Sequence, residues 1–235
     1  MNAVKICLAL DGLSAEEAIL LTNELKHRVY AVKAHDLFDV YGPPIIEQLM
    51  DVGAPRVWID HKVHDTPDTV GRRIAAHVHN GAQIITVHAS GGVPMMKAAV
   101  HATHDGKHDA QAEIWAITVL TSLDDDEIKR IYGADRTRDQ IVLEFALMAK
   151  EAGVRTIVCS AQEVGALSKN SLLEGMQFTV PGTRSAGVAL GQQKRSGTPE
   201  QAAADGATFL VAGSQVTQSV NPLAAFSEFA AKIAL

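Results

Sequence analysis

Residues 56–70 read RVWIDHKVHDTPDTV. The first seven form a short apolar run of strand length that ends in charges of both signs, and a stretch with helical spacing, 67–80, follows. The same grammar repeats along the chain. Further runs of strand length are VKICLAL (4–10), VYAVKA (29–34), AQIITVHA (82–89), EIWAITVLT (113–121), VRTIVCS (154–160), MQFTV (176–180) and ATFLVAG (207–213), which makes eight with RVWIDHK (56–62). Helical spacing marks 14–27, 43–52, 135–152 and 198–205 between them. Strand–helix alternation argues for a parallel sheet. Eight units in 235 residues argue for one closed α/β domain over 1–235, a (β/α)8 TIM barrel. An open doubly wound sheet is the other arrangement, but LDGLSAEE after the first strand is not the Gly-rich turn that binds dinucleotide phosphates.

Helix starts fit this parsing. Ser14 with Glu17 forms a capping box, and Thr198, Pro199 and Gln201 combine a hydroxyl cap, a proline at the first helical position and an amide three residues on. The acidic run Asp124–Glu127 suits a helix N-terminus. No linker or low-complexity tract interrupts the pattern, and the most polar stretch, 101–113, reads as an exposed connection.

The composition is 47% hydrophobic and 20% charged, ordinary for a globular chain with a sizeable core. A net charge of -6 argues against a general nucleic-acid binder, which needs a basic face. No stretch approaches the roughly 20 apolar residues of a membrane helix, and MNAVKICLAL lacks the features of a signal peptide, so a cytoplasmic location is expected. The two cysteines, Cys7 and Cys159, lie in strand-like runs and read as reduced core thiols.

On a barrel frame the charges acquire a place. Asp11 follows the first strand, Lys33 lies near the end of the second, and Asp60 and Lys62 end the third. Two residues apart on an extended strand, Asp60 and Lys62 share one side with Trp58, while His61 and Val63 face the other. All C-terminal strand ends of a parallel barrel meet at one rim, where barrel active sites lie. Asp11, Lys33, Asp60 and Lys62 are therefore expected to converge. A structural ion-pair network is the plain reading of any single pair; four such groups on the rim favour function. A lysine held among carboxylates keeps a proton to deliver. A fixed carboxylate repels an anionic substrate group more than it repels the transition state in which that group departs.

After the seventh strand, TVPGTRSAGVALGQQKRSGTPEQ (179–201) is Gly-rich and basic and precedes a capped helix, the position at which many barrels bind phosphate. Arg184, Gln193, Lys194 and Arg195 supply donors there.

These residues carry a specific resemblance. LALD (8–11), VKAHDLF (32–38), IDHKVHDTPDTV (59–70), TVHASGGVPMMKAA (86–99), ITVLTS (117–122), TVPGTRSAG (179–187), GQQKRSGTPEQA (191–202) and VAGSQVTQSVNP (211–222) together resemble the orotidine 5'-monophosphate decarboxylase family. The resemblance implies a homodimeric barrel that decarboxylates orotidine 5'-phosphate to UMP with no metal or organic cofactor. It implies that Lys33, Asp60, Lys62 and Asp65 form a catalytic charge array, with Lys62 protonating C6 and Asp60 against the substrate carboxylate. Asp11 and Lys33 would hold ribose hydroxyls, and Asp65 and Thr69 would reach the partner's site across the dimer. Thr121 or Ser122, at the end of the fifth strand, would contact the pyrimidine amide. Pro181 would border the base, Gln193 would bridge base and phosphate, and Arg184, Gly213 and Ser214 would lie at the phosphate.

The chain departs from the family pattern at several places. Gly213-Ser214 stands where Gly-Arg is usual, which removes the main side-chain grip on phosphate; Arg184 and Arg195 are the candidates to replace it. KAHD stands where a small pair is common after the lysine, bringing His35 and Asp36 near the rim. Thr66 and Asp68 replace a usual isoleucine and asparagine. Two other functions stay open: a metal-assisted sugar-phosphate decarboxylase or aldolase on the same barrel, and a catalytically silent nucleotide-binding paralogue. His101, His104 and His108 have metal-compatible spacing without an obvious fourth ligand. His88 reads as a core or supporting histidine, and Met95 and Met96 as packing residues.

Overall fold

The computed structural model describes residues 3–104, 112–184 and 195–233. Eight parallel strands close into a barrel in sequence order: β1 Lys5–Ala9, β2 Ala31–Ala34, β3 Val57–Val63, β4 Ile84–His88, β5 Glu113–Ile117, β6 Thr156–Val158, β7 Gln177–Val180 and β8 Phe209–Ala212. β8 returns to β1 with Ile6 opposite Leu210, so no edge is left unpaired. Around it run α1 Ala15–Leu25, α2 Asp36–Tyr41, α3 Pro44–Asp51, α4 Pro67–His79, α5 Gly92–Ala102, α6 Asp125–Tyr132, α7 Arg138–Glu151, α8 Val164–Ser168, α9 Pro199–Ala204, α10 Ser214–Thr217 and α11 Pro222–Ala231.

Seven of the eight strands are shorter than their apolar runs, while β3 keeps seven residues, displaced by one from the predicted run. β5 stops at Ile117, four residues before the end of the predicted run, because Val119 to Thr121 turn across the rim. The predicted caps hold. Ser14 accepts from the Glu17 amide while Glu17 reaches back to the Ser14 amide at 2.8 Å, and Asp124 and Glu127 make the same reciprocal pair. Thr198 accepts from the Gln201 amide.

Two apolar layers follow from strand alternation. Outward-facing residues such as Leu8, Val32, Ile59 and Ile85 pack on the helices, with the buried Met95 and Met96 among them. Inward-facing residues fill the lumen: Trp58, Trp115 and Phe209 stack in series with ring centres 4.6 and 4.8 Å apart, balanced by the small Cys7, Ala9 and Ala31. This aromatic plug closes the barrel from below and leaves its C-terminal mouth as a cup. Cys7 and Cys159 are buried free thiols. Among the described residues no helix is long and apolar enough to cross a membrane.

Candidate active site

The cup is a cavity of about 300 Å³ at the C-terminal ends of the strands. Its floor is Trp58, Ile117, Val158 and Val211; its charged wall is Asp11, Lys33, Asp60 and Lys62. Lys33 Nζ donates to both Asp11 carboxylate oxygens at 2.7 and 2.9 Å and lies 3.3 Å from Asp60 Oδ2. Lys62 Nζ donates to the same Asp60 oxygen at 2.8 Å. Two ammonium groups thus share one carboxylate oxygen, in the order Asp11–Lys33–Asp60–Lys62.

Burial differs along this row. The Lys33 and Asp60 side chains are 7% and 10% exposed, while Asp11 is half open at the rim. Burial opposes the charged form of Lys33, but the Asp60 and Asp11 carboxylates outweigh it and raise the lysine above its ordinary range. Burial likewise opposes ionised Asp60; Lys33, Lys62 and the Thr86 hydroxyl outweigh it and hold the acid below its usual value. Both stay charged at neutral pH.

Simple alternation does not by itself place Lys62. β3 pairs with β4 as Trp58 with Ile84 and Ile59 with Ile85, then as Val63 with Val87, so Asp60, His61 and Lys62 stand opposite Thr86 alone. The two extra residues make a bulge. Inside it Lys62 takes φ 48°, the one non-glycine residue with positive φ among those described. A left-handed lysine costs on the order of 1 kcal/mol or more, a strain typical of functional positions. The bulge aims the ammonium over Asp60, while His61 turns outward against Phe38 and His77.

The remaining predicted positions separate into three groups. Thr121, Pro181, Arg184, Gly213 and Ser214 line the cavity. Ser122 is exposed and does not line it; it and Thr121 lie in a turn beyond β5 instead of ending that strand. Asp65 and Thr69 stand outside this chain's cavity. Asp65 is exposed, and its carboxylate accepts from the Thr66 amide at 2.7 Å. Gln193, Lys194 and His108 lie outside the described residues. Among the described residues no group of three or more His, Cys, Asp or Glu could hold a metal ion.

Sequence reading misplaces one basic residue. Arg195 is 3% exposed and points inward: it pairs with the buried Glu163 and donates to the carbonyls of Val119 and Leu120 at 3.1 and 2.6 Å. It ties the β5 turn to the β6 turn, where Glu163 also accepts from the Ser160 amide, and it is buried there away from the cavity lining. Arg184 takes the other course. Its Nη2 donates to Ser214 Oγ at 3.3 Å and its Nη1 to the Thr183 carbonyl at 3.2 Å. The serine that replaces the usual arginine therefore orients another arginine in the same corner. Asp36 is structural, accepting from the Gly12 amide at 2.9 Å.

His35 and Gln218 also line the cavity. His35 Nδ1 sits 3.4 Å from Lys62 Nζ, at a position the sequence flags only as near the rim. Gln218 follows Ser214 by one helical turn, a spacing that places both on one side of α10. His88 lies behind the array beside His64, and burial, then His64 and Lys62, push its pKa down to about 4.

An eightfold barrel whose mouth gathers alternating lysines and carboxylates over an apolar floor falls among the (β/α)8-barrel enzymes. Comparison with known proteins narrows that class to one family. Residues 4–229 match the model of the Orotidine 5'-phosphate decarboxylase / HUMPS family. A protein of Pseudoalteromonas translucida named orotidine 5'-phosphate decarboxylase is 38% identical over 95% of this chain and 94% of its own length. One of the same name from Nitrosococcus oceani is 37% identical over 99% of both. The crystal structure of orotidine 5'-phosphate decarboxylase from Lactobacillus acidophilus superposes with a TM-score of 0.84 at 29% identity, covering all of both chains. The chain belongs to the orotidine 5'-phosphate decarboxylase / HUMPS family.

Proposed function

We propose that this chain decarboxylates orotidine 5'-phosphate to UMP. The observation that carries the reading is the shared Asp60 oxygen between Lys33 and Lys62 at a pocket floored by apolar side chains. Relatives of the same name spanning nearly the whole chain support it.

The chemistry follows from the row of charges. The substrate carboxylate on C6 lies against Asp60, anion to anion. That repulsion falls as the C6–carboxylate bond breaks and neutral carbon dioxide leaves, so it acts on the ground state more than on the transition state. The electron pair of the broken bond stays on C6. Lys62 Nζ, held 2.8 Å from Asp60, faces that carbon and gives it a proton, forming the C6–H bond of UMP; solvent then restores the ammonium. Lys33 and Asp11 take the ribose hydroxyls, and Lys33 keeps Asp60 ionised. Thr121 and Pro181 border the base, Gln193 bridges base and phosphate, and Arg184, Gly213 and Ser214 receive the phosphate. In a homodimer Asp65 and Thr69 complete the partner's pocket; their lying outside their own chain's cavity is in keeping with that role.

The test is turnover of orotidine 5'-phosphate by the purified chain, followed as loss of orotate-type ultraviolet absorbance with and without EDTA. The expected result is turnover insensitive to EDTA and abolished by Lys62→Ala, with UMP binding retained. No turnover at millimolar substrate would sink the proposal, and EDTA sensitivity would revive the metal-assisted sugar-phosphate reading.

A further inference from the structure

Below Asp60 the lumen holds a hydrogen bond with a fixed direction. The Trp58 Nε1–H donates to Thr86 Oγ1 at 2.6 Å, and both residues are buried. An indole N–H can only donate, and a threonine hydroxyl has one proton. Once the oxygen accepts from Trp58, that proton must find another acceptor in a place water does not reach. The register supplies one: Trp58 pairs with Ile84 and Ile59 with Ile85, which brings Asp60 level with Thr86 on the inner face. The Asp60 carboxylate is thus the acceptor that the strand register sets beside the hydroxyl, and the hydroxyl favours its charged form.

We propose that Thr86, locked by the indole of Trp58, is a positioning residue for Asp60, fixing the plane of the carboxylate that faces the departing carboxylate of the substrate. A carboxylate turns easily about its last torsion. Lys33 and Lys62 both hold Oδ2, so they leave rotation about that anchor open. A donor from β4 removes the freedom, and the indole beneath keeps the hydroxyl from turning away. The bulge contributes as well, because it sets three residues of β3 against this one threonine. The aromatic plug thereby gains a second duty: besides filling the barrel, its uppermost ring orients the hydroxyl below the array.

The inference rests on the proposed decarboxylation for its kinetic readout and has a second readout that does not. Thr86→Val keeps the branched shape and deletes the hydroxyl. Its kcat is expected to fall roughly tenfold to a hundredfold, with KM and UMP affinity within about threefold of the parent. Thr86→Ser, which returns the donor, is expected to recover kcat to within about threefold. A Thr86→Val enzyme with parental kcat, or a serine variant as slow as the valine one, overturns the proposal. Should Thr86→Val not fold, Trp58→Phe replaces it, since it leaves the hydroxyl but frees its direction; kcat is expected to drop by at least about threefold, and an undiminished kcat overturns the proposal.

Titration of the Asp60 carboxyl by carbon NMR decides the matter without turnover. The charged and titratable groups facing this carboxyl are Lys33 and Lys62 directly, with Asp11, His35 and His88 beyond. In Thr86→Val, with those groups intact, the Asp60 transition is expected to move to higher pH. An unmoved transition overturns the positioning role, and an inactive parent enzyme with a moved transition overturns the decarboxylase reading alone.

Discussion

Arg184→Ala is the perturbation that bears most on how this site binds its substrate. Ser214 occupies the corner where the family usually carries an arginine, and the Arg184 guanidinium reaches Ser214 Oγ at 3.3 Å. Arg184 is partly buried, and burial lowers its pKa, so the protein itself already strips part of its hydration. A phosphate arriving there meets a cation with unspent hydrogens, anchored by one nitrogen to Ser214 and the other to the Thr183 carbonyl. Deleting a charge-assisted contact of this kind costs about 1.5–3 kcal/mol. That is a loss of roughly 10- to 150-fold in kcat/KM for orotidine 5'-phosphate. The control is orotidine, which lacks the phosphate: Arg184→Ala should leave its kcat/KM within about threefold, so the full effect appears as an interaction between side chain and phosphate. The assay is the absorbance decrease at several concentrations of each substrate. Equal losses on both substrates would show that Arg184 supports the pocket wall instead of the phosphate, and no loss on either would show that the phosphate is held elsewhere. In the Arg184→Ala background, Ser214→Arg is expected to recover most of the lost kcat/KM by returning a cation to the same corner.

Other consequences follow from the same structure. Asp60→Asn should lower kcat/KM by roughly a hundredfold to a thousandfold while UMP, which has no C6 carboxylate, binds at least as well; substrate turnover together with UMP calorimetry checks both halves. Glu163→Ala leaves Arg195 buried without its carboxylate, a change that costs about 3–5 kcal/mol. At 235 residues that lowers Tm by roughly 6–20 °C in a thermal melt, and an unchanged Tm would contradict the structural role given to Arg195. His77, buried beside Phe38 and His61, has its pKa pushed down to about 4 by burial and then by His61 and Arg73. The unfolded chain takes up that proton near pH 6.5 and the folded chain does not, so stability is full above this pH and falls toward pH 4. The slope is up to about 1.4 kcal/mol per pH unit, read from urea midpoints, and His77→Gln should flatten it.

Much of this architecture could be read in the chain. Each strand is a short apolar run because a parallel barrel buries both strand faces, and the helix caps lie in plain view at Ser14, Asp124 and Thr198. Asp11, Lys33, Asp60 and Lys62 were legible as a group because barrel topology sends every strand end to one rim. Tertiary detail was not legible. α5 is absent from the helical spacings legible in the chain, because it opens on Gly-Val-Pro: Gly92 at φ 87° turns the chain and Pro94 sits in the first turn, where no amide donor is needed. Local pattern also hides the bulge that aims Lys62, because a strand's period says nothing of its neighbour's register. Arg195 looked like a phosphate donor beside Lys194, and only the meeting of the β5 and β6 turns gives it Glu163 and two carbonyls to satisfy. The Arg184–Ser214 contact joins residues 30 positions apart, beyond the reach of any local signal.

The role given to Lys62 turns on the fate of one proton. Orotidine 5'-phosphate turned over by the wild-type chain in deuterium oxide, with the product read by proton NMR, shows whether C6 receives it. Proton delivery by Lys62 predicts UMP carrying a single deuterium at C6, formed equally well with EDTA present and not at all by Lys62→Ala. Failure to form UMP, or deuterated UMP produced at an undiminished rate by Lys62→Ala, would contradict it.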